Sequence, residues 1–168
     1  MSSPASLIQS LAASYGIPPS LALAVATRES GLNQGAIGAA GEIGIFQLMP
    51  STASDLGVDP SNLQQNIQGG LSYLQSLYQQ FGNWTDALEA YNGGASHVTA
   101  GNVSGAAQNY AASILQASGI QSSSPDLTQG DPFASVDSLD LSTLMDPSQP
   151  GFWIAVGVLG LVAVAALR

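Results

Sequence analysis

Glu29 is the side chain of this sequence best placed to act as an acid. It follows an almost uninterrupted apolar stretch, Leu21-Ala22-Leu23-Ala24-Val25-Ala26, and is reached through Thr27 and Arg28. A carboxyl group near the end of an apolar helix loses hydration and faces the negative end of the helix dipole. Both effects disfavour the carboxylate. A carboxylic acid that stays protonated is what a glycosidic bond needs, since its leaving oxygen must receive a proton. Alone, a glutamate near a helix end reads more simply as a solvated surface residue, so the assignment depends on its surroundings.

Those surroundings offer groups suited to a carbohydrate. Gly41 and Gly44 would let backbone approach a ligand closely. Gln47 supplies an amide for hydroxyl or N-acetyl groups, and Tyr91 supplies both a ring face and a hydroxyl. Each also has a plainer reading. The glycines make a turn, Tyr91 is core, and Asn92-Gly93-Gly94 is a helix stop. Together with Glu29 they are better explained as one site.

Most glycosidases place two carboxylates about the scissile bond. The helical part of this chain holds Glu29, Glu42, Asp55, Asp59, Asp86 and Glu89. Asp59 reads as a helix cap, and none of the others sits in a motif resembling a second catalytic carboxylate. The absence of cysteine and the single histidine, His97, argue against a metal centre, and no cofactor is expected.

The elements that would position these groups are helical from Ser3 to Gly119. Ser3-Pro4 opens a first helix through Leu7, Ile8, Leu11 and Tyr15, and Gly16 closes it. Pro18-Pro19 resets the chain before the apolar stretch, which is apolar almost all round and so predicts a central, buried helix. Asp59-Pro60 looks like the start of a long helix reaching about Phe81, with Leu71, Leu74 and Leu77 on one face and Gly82 as its stop. Inside it, Gly69-Gly70 costs roughly 1 kcal/mol per glycine in helix propensity, which close packing against a neighbouring helix would explain. Further helices are expected over Thr85 to Ala90 and Ser104 to Ala117.

Beyond Gly119 the composition turns to Ser, Asp, Pro and Gln, so residues 120–150 read as an acidic, flexible linker. Val136, Leu139, Leu141, Leu144 and Met145 have the spacing of a short docking helix. Residues 151–167 carry no charge and begin with Phe152-Trp153. As a helix they would extend roughly 25 Å, at the short end of a bilayer span. They are expected to form a membrane anchor, with Arg168 in the far headgroup layer. A buried terminal helix is the alternative. The first residues lack the basic and apolar regions of a secretory signal, so export would use another route.

The net charge of -9 comes from 11 acidic residues against two arginines, which leaves almost nothing to neutralise phosphates. Nucleic acid is therefore not an expected partner. The same charge gives no steering towards an anionic polymer. A tether would supply proximity instead, and a thirty-residue linker reaches roughly 30 Å.

Three ordered segments, Glu29-Ser30-Gly31-Leu32-Asn33, Gly41 to Pro50, and Ala90-Tyr91-Asn92-Gly93-Gly94, resemble the catalytic domain of the soluble lytic transglycosylases. That family has a lysozyme-like fold related to goose-type lysozyme. The resemblance covers roughly Leu7 to Gly119 and includes Asn109-Tyr110 followed by Ile114. It implies a predominantly all-α, lysozyme-like domain over residues 1–119, to which composition adds the 120–150 linker and a transmembrane helix at 151–168. Glu29 matches the catalytic acid/base and Ser30 the residue beside it. Gln47, Tyr91 and Asn92 match positions lining the glycan cleft, and Tyr110 matches the tyrosine near the glutamate. Leu32, Glu42 and Phe46 depart from the pattern, where an aromatic, a small residue and methionine are more usual. Glu42 adds a negative charge where the pattern has a small residue.

The resemblance further implies a one-carboxylate route giving a 1,6-anhydro sugar from peptidoglycan glycan strands. The alternatives are lysozyme-type hydrolysis, or a structural or glycan-binding protein that keeps the fold. Expected partners are the glycan strands, a lipid membrane through 151–167, and virion coat or membrane proteins through 120–150. The expected location is a phage virion membrane or the bacterial envelope.

Overall fold

Seven helices, connected by turns and one longer irregular segment, carry the chain from residue 3 to residue 120, the part that the computed structural model describes. The linker, docking-helix and membrane-anchor expectations fall on residues 121–168, outside that part. Among the described residues, no helix is long and apolar enough to cross a membrane.

Helix α1 (Pro4–Ser14) starts where Ser3 accepts a hydrogen bond from the Ser6 N–H at 3.2 Å, with Pro4 in the first turn. It ends just before Gly16, whose φ of 66° is left-handed. Helix α2 (Pro19–Ser30) follows Pro18 and ends on Gly31 with φ 63°. Its buried face is Leu21, Ala22, Val25 and Ala26, packed between α1 and α7 (Gly105–Ser118). The expectation of a helix buried all round needs correction. Leu23 and Ala24 are only half-buried and, with Ile114 and Ala117, line a groove of about 540 Å³.

Helix α4 (Leu63–Phe81) begins three residues later than Asp59-Pro60 suggests. Its cap is Asn62, whose side chain accepts from the Gln65 N–H at 3.1 Å. Asp59 instead accepts from the N–H and hydroxyl of Ser61 at 2.9 and 2.7 Å, a local turn just ahead of the helix. Leu71, Leu74 and Leu77 are buried as their spacing requires, and Gly82 ends the helix with φ 73°.

The close packing at Gly69-Gly70 is present, but its partner is not a helix. A Cβ on Gly70 would collide with the Phe46 side chain. One on Gly69 would stand 2.9 Å from both Leu48 Cδ1 and Val58 Cγ2. The glycines therefore admit the irregular segment between α2 and α3 (Pro50–Asp55) against α4. Two antiparallel bridges, Ile37 with Ile43 and Ile43 with Leu48, fold that segment back on itself.

Helix α5 (Trp84–Gly93) runs three residues further than Ala90 and packs on α4 and α7. The short α3 and α6 (Ala95–Thr99) were not anticipated. The architecture is otherwise the expected helical one.

Candidate active site

The end of α2 presents Glu29 half-buried, with the exposed Thr27 and Arg28 just before it. Tyr110 reaches it from α7 and donates its hydroxyl hydrogen to Glu29 Oε1. Burial raises the Glu29 pKa above its ordinary 4.5. The Tyr110 hydrogen bond opposes that rise, the charge of Glu42 adds to it, and Arg28 opposes it again. Burial and the neighbouring Glu29 charge push the Tyr110 hydroxyl far above its ordinary range, so it remains a donor.

Ser30 anchors the end of α2. Its hydroxyl donates to Ile45 O at 2.9 Å, with Ala26 O at 3.3 Å, and accepts from the Asn33 N–H at 3.1 Å. Tyr91, half-buried on α5, donates to Phe46 O at 2.8 Å, and its ring leans on Tyr73 at a centroid distance of 5.3 Å. Burial raises the Tyr91 hydroxyl well above its ordinary pKa, with the charge of Glu29 contributing second. The two side chains therefore dock on adjacent carbonyls of one segment, and Glu29 and Tyr91 share an electrostatic neighbourhood.

Gln47 lies on the same segment with an unusual φ of 47°. Its amide hydrogens are engaged within the loop, donated to Gly44 O at 2.7 Å and Ala36 O at 3.3 Å. The expectation that they are offered to a sugar is corrected. Oε1 is what Gln47 has left to offer, and it faces Gly38, where a Cβ would meet it at 2.8 Å and would also overlap the Glu42 carboxylate. Asn92 is exposed on the last turn of α5, beside Tyr91 but bonded to none of the other candidates among the described residues.

The reading of Gly44 as a point of ligand approach also changes. Gly44, at φ 81°, is packed by this chain's own side chains. A Cβ there would collide with the Asn66 amide and stand 2.9 Å from Gln34 Nε2. Gly41, at φ 92°, has open space around it, so a ligand could approach its backbone there.

Sequence reasoning passed over Gln34 and Asn66. Asn66 is fully buried on α4, on the face shared by Gly69, Gly70 and Leu74. A polar residue on an otherwise apolar helical face was the available signal. No group of three or more histidine, aspartate or glutamate side chains able to hold a metal stands together among the described residues.

The chain is similar to known proteins over this helical region. It is 37% identical over 98 residues to the transglycosylase of Enterobacteria phage PRD1, covering 56% of this chain and 36% of that protein. It is 38% identical over 94 residues to the soluble lytic murein transglycosylase of Escherichia coli K12, covering 49% of this chain and 15% of that protein. The chain thus spans well under half the length of these relatives. Among solved structures, the 70 kDa soluble lytic transglycosylase of Escherichia coli superposes with a TM-score of 0.57 at 29% identity, over 67% of this chain and 23% of that one. The lytic transglycosylase Slt of Pseudomonas aeruginosa gives 0.59 at 22% identity with the same coverages, a likeness of fold. The Transglycosylase SLT domain model matches residues 6–114, which hold Glu29, Ser30, Gln47, Tyr91, Asn92 and Tyr110, and the chain belongs to that family.

Proposed function

We propose that this chain cuts the β-1,4 bond between N-acetylmuramic acid and N-acetylglucosamine in peptidoglycan, with Glu29 as its acid/base. The observation that carries this reading is a half-buried carboxyl with a raised pKa, bonded at Oε1 by a tyrosine hydroxyl, in a family of lytic transglycosylases. Because Tyr110 occupies Oε1 as a donor, the acidic proton belongs on Oε2. From there it passes to the glycosidic oxygen as the C1–O bond breaks. Tyr110 then stabilises the carboxylate left behind. The substrate's N-acetyl group supports the positive charge at C1. The C6 hydroxyl attacks C1, and its proton returns to Glu29, giving the 1,6-anhydro sugar. Ser30, Gln47, Tyr91 and Asn92 shape the site and bind glycan.

Hydrolysis is the second reading, and Glu42 is what favours it. Its charge is near enough to act on Glu29, as a second carboxylate serving a water would. Mass spectrometry of muropeptides released from purified sacculi separates the two, since the anhydro product is one water lighter. Release of no muropeptide at all would leave a glycan-binding or structural protein.

The proposed organisation is a catalytic domain at 1–119, a linker at 120–150 and a membrane anchor at 151–168. The apolar composition of 151–167 supports the anchor, and the phage PRD1 relative supports a place in a virion membrane or at the bacterial envelope. Fractionation of the protein with and without residues 151–168 tests the anchor.

A further inference from the structure

Ile45 and Phe46 are consecutive, fully buried, and held at all four of their backbone polar groups by side chains. Gln34 Oε1 accepts from the Ile45 N–H at 3.2 Å, and Asn66 Oδ1 from the Phe46 N–H at 2.9 Å. On the other side, the Ile45 carbonyl accepts from Ser30 and the Phe46 carbonyl from Tyr91, at 2.9 and 2.8 Å. The two amides are themselves anchored. Asn66 Nδ2 donates to Ile43 O and Pro60 O, both at 2.8 Å. Gln34 Nε2 donates to Pro60 O at 2.9 Å and Ser61 O at 3.1 Å. Both therefore grip the turn that leads into α4.

We propose that Gln34 and Asn66 are positioning residues for the reaction, because they fix the two peptide units onto which the Glu29-bearing end of α2 and Tyr91 both dock. The inference rests on the acid/base reading of Glu29. Buried N–H groups need partners, and a strand neighbour would ordinarily supply them. Ile45 and Phe46 lie in the turn between Ile43 and Leu48, where the bridges offer none. Two side-chain amides take that place and set where the segment stands. The segment also carries Glu42 and Gln47, so its placement fixes the distance of one carboxylate and one amide from Glu29. Gly44 completes the arrangement, since the space that a Cβ would need there is filled by Asn66 and Gln34. Neither amide is near enough to Glu29 to bond it, and both act through the backbone between them.

The test compares wild type with Gln34→Met, at a half-buried position that keeps the side-chain length, and with Asn66→Ser. Two readouts are needed: kcat and KM on purified glycan strands, and the titration midpoint of Glu29 by NMR of 13C-labelled glutamate. The chain has only three glutamates to resolve. Displacing the segment is expected to lower kcat by about tenfold to a hundredfold, with a smaller rise in KM because the segment also carries Gln47. It is also expected to move the Glu29 midpoint down, because the segment contributes both enclosure and the Glu42 charge. Folded variants with a lower melting temperature but wild-type kcat and an unmoved midpoint would overturn the proposal. If Asn66→Ser does not fold, Gln34→Met decides by itself. A wild-type protein that cuts no glycan defeats the functional reading instead, and the midpoint then still tests the positioning role.

Discussion

Tyr110 on α7 and Glu29 at the end of α2, 81 residues apart in sequence, are joined by a hydrogen bond from the phenol to Oε1. The bond favours the carboxylate, while burial of the same group favours the acid. A general acid that must later act as a base is served by this opposition, since neither form is stabilised without limit. Tyr110→Phe removes one side of it. The Glu29 pKa is expected to rise further and the alkaline limb of the pH–rate profile to move up. The maximal rate is expected to fall about tenfold to a hundredfold, as the developing carboxylate loses its donor. A pH–rate profile on glycan strands checks both.

Glu29→Gln keeps an oxygen for Tyr110 but has no proton to transfer. Muropeptide release is expected to fall at least about 10³-fold with an unchanged circular dichroism spectrum.

The same substitution bears on stability. The folded-state pKa of Glu29 is raised above 4.5, so the folded protein resists ionisation more than the unfolded chain does. That contribution is fully present below pH 4.5 and is lost as pH rises through the folded-state value. Glu29→Gln is therefore expected to melt higher than wild type near neutral pH, with the difference vanishing in acid. Paired melting curves at the two pH values measure this.

Glu42→Gln removes a negative charge that raises the Glu29 pKa. The alkaline limb of activity is expected to move towards acid, opposite in sign to Tyr110→Phe. If water is activated at Glu42, the same variant will also lower the hydrated fraction of the products. Mass spectrometry reads that fraction from the same digest.

Gly41→Ala and Gly44→Ala separate backbone strain from crowding. Both have left-handed φ, but only Gly44 has side chains in the way of a Cβ. Gly41→Ala is expected to cost about 1 kcal/mol and Gly44→Ala about 2–4 kcal/mol. Urea unfolding midpoints rank them.

Helix ends were legible where one residue type does one job. Ser3-Pro4 starts α1, and Gly16 and Gly82 stop α1 and α4, as read from the chain. Asp59 and Asn62 are both cap-forming types three residues apart, and only the observed bond of Asp59 to Ser61 shows which one is not the cap. Helices of five and six residues, α6 and α3, are too short to show a period. At the site, motif resemblance brought Glu29 and Tyr110 to attention, and the structure joins them directly. Gln47 was assigned from its chemistry and from the motif resemblance, neither of which says whether its amide hydrogens are already engaged. Gln34 and Asn66 act on the backbone of residues 11 and 20 positions away, and that relationship leaves no local pattern to read.

The clamp around Ile45 and Phe46 touches only main-chain atoms, so it is blind to what side chains those positions carry. Mutational tolerance there should follow volume and apolarity: Phe46 faces Gly70, where there is no Cβ to meet it, and an apolar residue of similar bulk such as methionine can take its place. Proline is the exception at either position, since it deletes the N–H that Gln34 or Asn66 receives. A saturation library across residues 45 and 46 selected for wall clearance would then retain large apolar residues of several kinds and exclude proline.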